Sequence, residues 1–344
     1  MQREVTIRDV ADAAKVSPST VSNLLNGRDG RMRKRTRQRV ERAIDELGYR
    51  PSRVARQLRT GRAQLVGLVV PSVANPFWGG FARVLEAEAL SHGLQVLLCN
   101  SERDPDRERS YVDELWASGV RAVVLATSLP SLDHLQAVMS KGLSLVAFDR
   151  ERQPRDPEGL HSISVDNFEG GRIATQHLID LGHERIGFLS GAIATVSRKR
   201  RLAGYRQALE SAGLAFDPRL VWADETAGFG DVVSAQLGHD GMAALLAGKQ
   251  PPTAVVTIND MYAMGACSAL RDAGTPAPEV SVVGFDDLVL APLFNPPLTT
   301  VRQPLEEMAR FAMDVIRGVA TEPPPQTILA PTLIVRGSTT RRET

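Results

Sequence analysis

The chain has 344 residues, 43% of them hydrophobic and 24% charged, with a formal net charge of +1. That length fits two or three domains with real cores, and the composition excludes disorder over most of the chain. No apolar run approaches the roughly 20 residues that span a bilayer. The opening residues Met1-Gln2-Arg3-Glu4 hold no apolar signal segment. Cys99 and Cys267 alone make neither a disulfide framework nor a multi-cysteine zinc site. A cytoplasmic, reducing location is expected.

The charge is unevenly spread. Residues 1–62 hold 16 Lys and Arg against seven Asp and Glu, a balance of +9, whereas the remaining residues hold 25 against 33, a balance of −8. A basic arm on an acidic body points to a polyanionic partner for the arm. Of the 41 basic residues 36 are Arg, and Arg dominates the body too, so its abundance in the arm is read mainly as a compositional habit.

In chain order, residues 6–14 read as a short helix. Thr6 is its N-cap, and Asp9 three residues on makes a capping box with Asp in place of Glu. Val16-Ser17 breaks the chain. Ser17 then caps a second helix with Pro18 at its first position, where the missing N–H is harmless, and Asn26-Gly27 stops it. A third helix is predicted over 36–47, with Val40, Ala43, Ile44 and Leu47 on one stripe and Gly48 as the stop. Three small helices, the first two joined by a tight turn, make a helix-turn-helix unit. Residues 52–58 are helical in pattern but only about two turns long, marginal alone in water, and read as a hinge.

From Gln64 the pattern changes to apolar strands alternating with helices. Strands are predicted at 65–70, 95–98, 122–126 and 143–148, then in a second series at 163–165, 186–189, 220–223, 254–258 and 280–285. Such alternation means parallel sheets covered on both faces, so the fold class is α/β with doubly wound sheets. The series divides near Ser162. The expected domains are 1–50, 51–63 and 64–344. Within the last, a first lobe takes about 64–162 and 294–322, and a second about 163–293 and 323–340. A ligand site is expected between the lobes, at the carboxyl ends of the strands. Asp149 and Asp286 each follow an apolar strand and fall there; Arg201 opens the helix after 186–189 and can reach the same space. Near the end only one apolar strand, 333–335, precedes a polar tail. No heptad follows, so a dimer and not a tetramer is expected.

Enzyme motifs are missing. Gly228-Phe229-Gly230 lacks the third glycine of a dinucleotide fingerprint, and Gly248-Lys249-Gln250 lacks the Ser or Thr of a phosphate loop. His177 and His183 do not have metal-pair spacing, and His183 reads as a loop residue after Gly182. No cofactor or metal is implied.

Val5-Thr6-Ile7-Arg8-Asp9-Val10-Ala11, followed by Val16-Ser17-Pro18-Ser19-Thr20-Val21-Ser22-Asn23-Leu24-Leu25-Asn26-Gly27 and by Leu47-Gly48-Tyr49-Arg50-Pro51, resembles the lactose-repressor/galactose-repressor family of bacterial regulators. The likeness continues through Asn75-Pro76-Phe77, Asp166-Asn167, Asn259-Asp260 and Val283-Gly284-Phe285-Asp286-Asp287, over nearly the whole chain. The resemblance implies a homodimeric regulator that binds operator DNA, most simply a repressor of a sugar or carbon catabolism operon. It also implies a body similar to periplasmic sugar-binding proteins, with a small effector in its cleft.

The resemblance further implies roles for single residues. Pro18, Ser19 and Asn23 match base-facing positions of the second helix, and Asn can read adenine in bidentate fashion. Thr6, Ser17, Thr20, Ser22 and Asn26 fall among the remaining DNA-facing positions. Arg33, Lys34 and Arg35 belong to a cationic cluster entering the third helix, where cations oppose the helix dipole; DNA phosphate would offset that, and the alternative is a solvated charged face. Arg53, Ala55 and Leu58 match the hinge, with Leu58 at the position of an apolar wedge that opens a base step in the minor groove. In the body Phe77, Trp78, Asp149, Ser197, Arg201, Asn259 and Asp286 match cleft positions. Carboxylates and an Arg suit vicinal hydroxyls. The bland alternatives are core packing for Trp78 and a turn carboxylate for Asp286. Where several relatives carry an aromatic platform this chain has Val233, with Phe229 nearby. The competing function is a sugar-binding protein with no DNA role, against which the basic arm and the missing signal segment argue.

Overall fold

Thr6 starts the first helix by local chemistry. Its hydroxyl accepts from the Asp9 amide, and the Asp9 carboxylate accepts from the Thr6 amide at 2.7 Å, so both halves of the capping box are made. The computed structural model describes residues 5–25, 30, 32–49, 64–127, 129–224, 232–319 and 324–342. The chain divides into two units, Met1–Ala63 and Gln64–Thr344.

The first unit holds α1 (Ile7–Ala13), α2 (Pro18–Leu25) and α3 (Lys34–Leu47). Val10, Ala11, Ala14, Val21, Val40, Ala43 and Tyr49 are buried together, with Leu24, Leu25 and Ile44 packed against them. The third helix begins two residues earlier than its apolar stripe predicts. Arg33 is its N-cap without a side-chain hydrogen bond, and its first turn holds no acidic residue. Gly48 ends it in the left-handed conformation at φ +60°, which a glycine adopts without a Cβ penalty. The predicted hinge over 52–58, with Arg53, Ala55 and Leu58, lies outside the described residues, as do Asn26 and Phe229.

The second unit contains two six-stranded sheets. The first is built from β1 (Leu65–Val70), β2 (Gln95–Asn100), β3 (Ala122–Ala126), β4 (Ser144–Phe148), β5 (His161–Val165) and β11 (Gln326–Leu329), in the order β11-β5-β4-β3-β1-β2. Every pair in it is parallel. The second comprises β6 (Ile186–Gly191), β7 (Val221–Asp224), β8 (Ala254–Thr257), β9 (Ser281–Phe285), β10 (Thr299–Arg302) and β12 (Thr332–Ile334), in the order β12-β10-β9-β8-β6-β7. It is parallel except for its β10–β12 edge. The two orders repeat one doubly wound plan, as the alternation predicts.

Helices α4 (Pro76–Ser91), α5 (Pro105–Ala117) and the single turn α6 (Gln136–Met139) serve the first sheet. α7 (Asn167–Asp180), α8 (Val196–Ser211), α9 (Ser234–Leu246) and α10 (Asp260–Asp272) serve the second. α11 (Leu305–Arg317) returns to the first lobe, where Met308, Ala309, Ala312 and Met313 join the core of Leu68, Phe81, Leu85 and Phe148.

The expected lobe limits need correction at three places. Strand β5, expected to open the second lobe at 163, pairs with β4 in the first sheet. Strand β10, expected in the first lobe, pairs with β9 in the second. The end of the chain carries two strands rather than one: β11 closes the first sheet and β12 the second. The chain therefore crosses between lobes after β5, after β10 and between β11 and β12. His183 lies in the loop between α7 and β6, as expected, and is buried there. It is 2% exposed; Nδ1 lies 3.0 Å from the Thr253 hydroxyl, and Nε2 lies 3.1 Å from the Thr340 carbonyl and from Ser281 Oγ. Burial lowers its pKa below the ordinary histidine value, so the ring ties the C-terminal segment to the second sheet in its neutral form.

Candidate functional site

Residues following the carboxyl ends of both sheets line one narrow cavity of about 30 Å³. From the first lobe come Asn75, Phe77 and Trp78 after β1, Arg103 after β2, and Asp149 after β4. From the second come Thr195, Ser197, Arg198 and Arg201 around the start of α8, Ile258 and Asn259 after β8, Asp286 after β9, and Gln303 after β10. All seven cleft residues expected from the sequence meet here. Val233 is not among the lining residues; it precedes α9 and is 44% exposed.

Helix capping places several of these groups. The Asn75 side chain accepts from the Phe77 amide at 3.0 Å, with Pro76 opening α4. Thr195 accepts from the Arg198 amide and starts α8, while Asn259 accepts from the Tyr262 amide and starts α10. Three helix N-termini thus converge on the cavity, a polarity suited to ligand oxygen atoms. Trp78 is both core and lining: it is 3% exposed, edge-on to Phe77 at 4.8 Å, and a member of the first-lobe cluster.

The backbone is strained at this site. Asp149 (φ +60°), Asp286 (φ +112°) and Arg103 (φ +59°) all hold positive φ. Such conformations cost on the order of 1–3 kcal/mol each and persist where the surroundings over-determine them. Around Asp286, Gln303 Nε2 donates to the carboxylate at 2.8 Å. Buried Asp260 holds the following loop by accepting from the Leu288 amide at 2.8 Å and the Thr300 hydroxyl at 2.6 Å. Burial, with Asp286 adding to it, pushes the Asp260 pKa well above the usual carboxylate value.

Arg201 is pre-positioned. Its Nε donates to Asn167 Oδ1 at 2.7 Å and its Nη1 to the Ile258 carbonyl at 2.6 Å, and its guanidinium lies 3.5 Å over the Phe285 ring. Burial lowers its pKa, while Asp286 and Asp149 act in the opposite direction. α8 approaches α7 closely enough to fix this placement: a Cβ on Gly171 would overlap the Arg201 carbonyl, and one on Gly204 the Phe168 carbonyl.

Sequence reasoning missed Asn75, Arg103, Thr195, Arg198, Ile258 and Gln303. Gln303 follows β10, so the strand-end rule finds it once that strand is recognised. Arg103 depends on two successive left-handed residues, Glu102 and Arg103, which no periodicity reveals.

In the first unit the expected DNA-facing groups share the start of α2. Ser17, Pro18, Ser19 and Asn23 are exposed, Thr20 and Ser22 are partly exposed, and Val21 on the opposite face is buried. Ser17 Oγ lies 2.7 Å from Ser19 Oγ and accepts from the Thr20 amide at 3.3 Å, so it caps the helix as expected. Thr6, Arg33, Lys34 and Arg35 are also exposed. Among the described residues no group of three or more His, Cys, Asp or Glu could hold a metal, and no helix is long and apolar enough to cross a membrane.

Comparison with known proteins agrees with this division. Residues 6–52 match the model for bacterial regulatory proteins of the lacI family, and residues 175–339 match a periplasmic binding protein-like domain. The chain is 34% identical to the HTH-type transcriptional regulator DegA of Bacillus subtilis (strain 168), over 98% of each chain. It is also 34% identical to the ribose operon repressor of Escherichia coli (strain K12), over 97% of this chain and 99% of that one. Among solved structures, the lac repressor dimer bound to operator and the anti-inducer ONPF superimposes with a TM-score of 0.84 at 27% identity, covering 98% of this chain and all of that one. The chain therefore belongs to the lacI family of bacterial regulatory proteins and is a DNA-binding transcriptional regulator.

Proposed function

We propose that this regulator is a cytoplasmic repressor which binds a two-fold operator as a homodimer, and that a monosaccharide in the inter-lobe cleft sets its operator affinity. The observation that carries this reading is the convergence of Asp149, Asp286, Asn259 and Arg201, from both lobes, on one cavity. Trp78 Nε1 and Gln303 Oε1, a buried donor and a buried acceptor lining the same space, have no hydrogen-bond partner among the described residues. A sugar hydroxyl both donates and accepts, and so suits each. The ribose operon repressor among the relatives makes D-ribose the first sugar to test.

In this reading residues 1–50 read the operator. Asn23 and Ser19 face base edges, Pro18 packs beside them, and Ser17, Thr20, Ser22, Thr6 and Asn26 position the unit on the backbone. Arg33, Lys34 and Arg35 offset their unfavourable place at a helix N-terminus by meeting phosphate. Residues 51–63 order on DNA with Leu58 as the wedge, flanked by Arg53 and Ala55. Residues 64–344 bind the effector and dimerise; Leu97 and Leu98 on edge strand β2 and Val289 and Leu293 after β9 leave apolar surface for a second copy. The chain works by binding, with no catalytic step.

Selection from a random duplex library, followed by mobility shift with and without D-ribose and other sugars, tests the proposal. A two-fold symmetric site whose affinity changes with one sugar is expected. Failure to enrich any sequence would remove the operator role, and indifference to every sugar would remove the effector role.

A further inference from the structure

Two residues beyond Asp149 in the first lobe and one residue before Arg201 in the second, a second pair of charges meets at the cleft. Arg200 Nε lies 2.9 Å from Glu151 Oε1. Glu151 belongs to the segment between β4 and β5, whereas Arg200 is on α8, so the ion pair joins the two lobes directly. The Glu151 side chain is 15% exposed and the Arg200 side chain 44%.

Both arms are held from behind. Arg150, with a fully buried side chain, pairs through both terminal nitrogens with Asp156 at 2.6 Å and donates from Nε to the Leu129 carbonyl at 2.7 Å. That clamp fixes the backbone on which Glu151 sits. The Arg200 guanidinium lies 5.3 Å over the Phe168 ring of α7, and α7 and α8 are packed too closely at Gly171 and Gly204 for either helix to shift alone. By contrast, the two hydrogen bonds that hold Arg201 go to Asn167 and Ile258, within its own lobe, and survive any rigid separation of the lobes. The Glu151–Arg200 pair cannot survive it, because its partners ride on different bodies.

We propose that Glu151 and Arg200 form an electrostatic latch that sets the fraction of cleft closed before effector arrives and slows effector release afterwards. The latch acts on the cleft named above as the effector site, and rests on that reading only for its consequence on release. An ion pair this exposed shifts a two-state equilibrium modestly, by about two- to five-fold. It is also screened by salt, unlike contacts buried inside the cavity.

Full-length protein labelled at the exposed positions Asp106 and Gln207, with Cys99 and Cys267 replaced by Ala, reports lobe separation by pulsed electron spin resonance without any ligand. Glu151→Gln and Arg200→Gln should each lower the closed fraction relative to the parent, and salt at about 0.5 M should do the same to the parent but not to the variants. The charge swap Glu151→Arg/Arg200→Glu should restore closure. In parallel, D-ribose titrations followed by Trp fluorescence should show Kd raised about two- to five-fold in the single variants and recovered in the swap. Identical distance distributions in the parent, both single variants and the swap would overturn the latch. Normal distance shifts with no D-ribose binding by the parent would retain the latch and count against ribose as the effector.

Discussion

Arg201 shows how one side chain can be structural in its supports and functional in its direction. Asn167, the Ile258 carbonyl and the Phe285 ring hold the guanidinium, and Asp149 and Asp286 supply opposite charge across the cavity. Removing a charged partner from such a buried site leaves ligand polar groups unpaired. Arg201→Ala should therefore cost about 2–5 kcal/mol of effector binding while operator binding without effector persists. Calorimetry with D-ribose and mobility shift on the selected operator check the two halves separately. Lost operator binding in the variant would show Arg201 to be a folding residue instead. Asp149 and Asp286 were legible beforehand because a carboxylate after an apolar strand falls at the carboxyl edge of a parallel sheet. Arg103 was not, because its entry into the cavity depends on a local left-handed backbone.

Helix placement depends on what is missing from side chains. Gly171 and Gly204 let α7 and α8 touch backbone to backbone, and the residue that Gly171 meets is Arg201 itself. A methyl group at position 204 has no room against the Phe168 carbonyl, so α8 must move away, carrying Arg201 with it. Gly204→Ala should destabilise the fold by about 1–3 kcal/mol, as overpacking does, and should also weaken effector binding. Denaturant unfolding and sugar titration are the measurements; parent-like values in both would refute the placement argument. At this scale the short N-terminal helices were readable from their caps, since the Thr6–Asp9 box and Ser17 act through neighbours in sequence. Strand β11 was not, because Gln326–Leu329 has only a short, partly exposed apolar pattern and gains its identity by pairing with β5.

The whole molecule separates its charges, +9 in residues 1–62 against −8 elsewhere. The acidic body repels DNA, so the basic arm must supply the attraction. If about six to ten phosphates are neutralised, affinity should fall by about 10³–10⁵ between roughly 50 and 200 mM salt. Replacing Arg33, Lys34 and Arg35 by Gln should flatten the log–log slope by about one for each phosphate that is no longer neutralised, across all DNA sequences alike. Fluorescence anisotropy over a salt series measures this, and an unchanged slope would mark the cluster as a solvated face.

The sequence by itself determined the helix-turn-helix unit, the alternating α/β body and the strand-end carboxylates Asp149 and Asp286 that meet at the cleft. Each of these follows from interactions that repeat or close within a few residues: caps, turns, apolar periodicity and strand ends. Only the tertiary structure decided which lobe owns which strand. The chain crosses between lobes after β5, after β10 and between β11 and β12, and a strand reads the same whichever sheet receives it. It alone also brought Glu151 beside Arg200 and Gln303 beside Asp286, pairs separated by 49 and 17 residues. Such neighbours are set by the docking of whole sheets and helices, whose geometry comes from packing that no local pattern encodes.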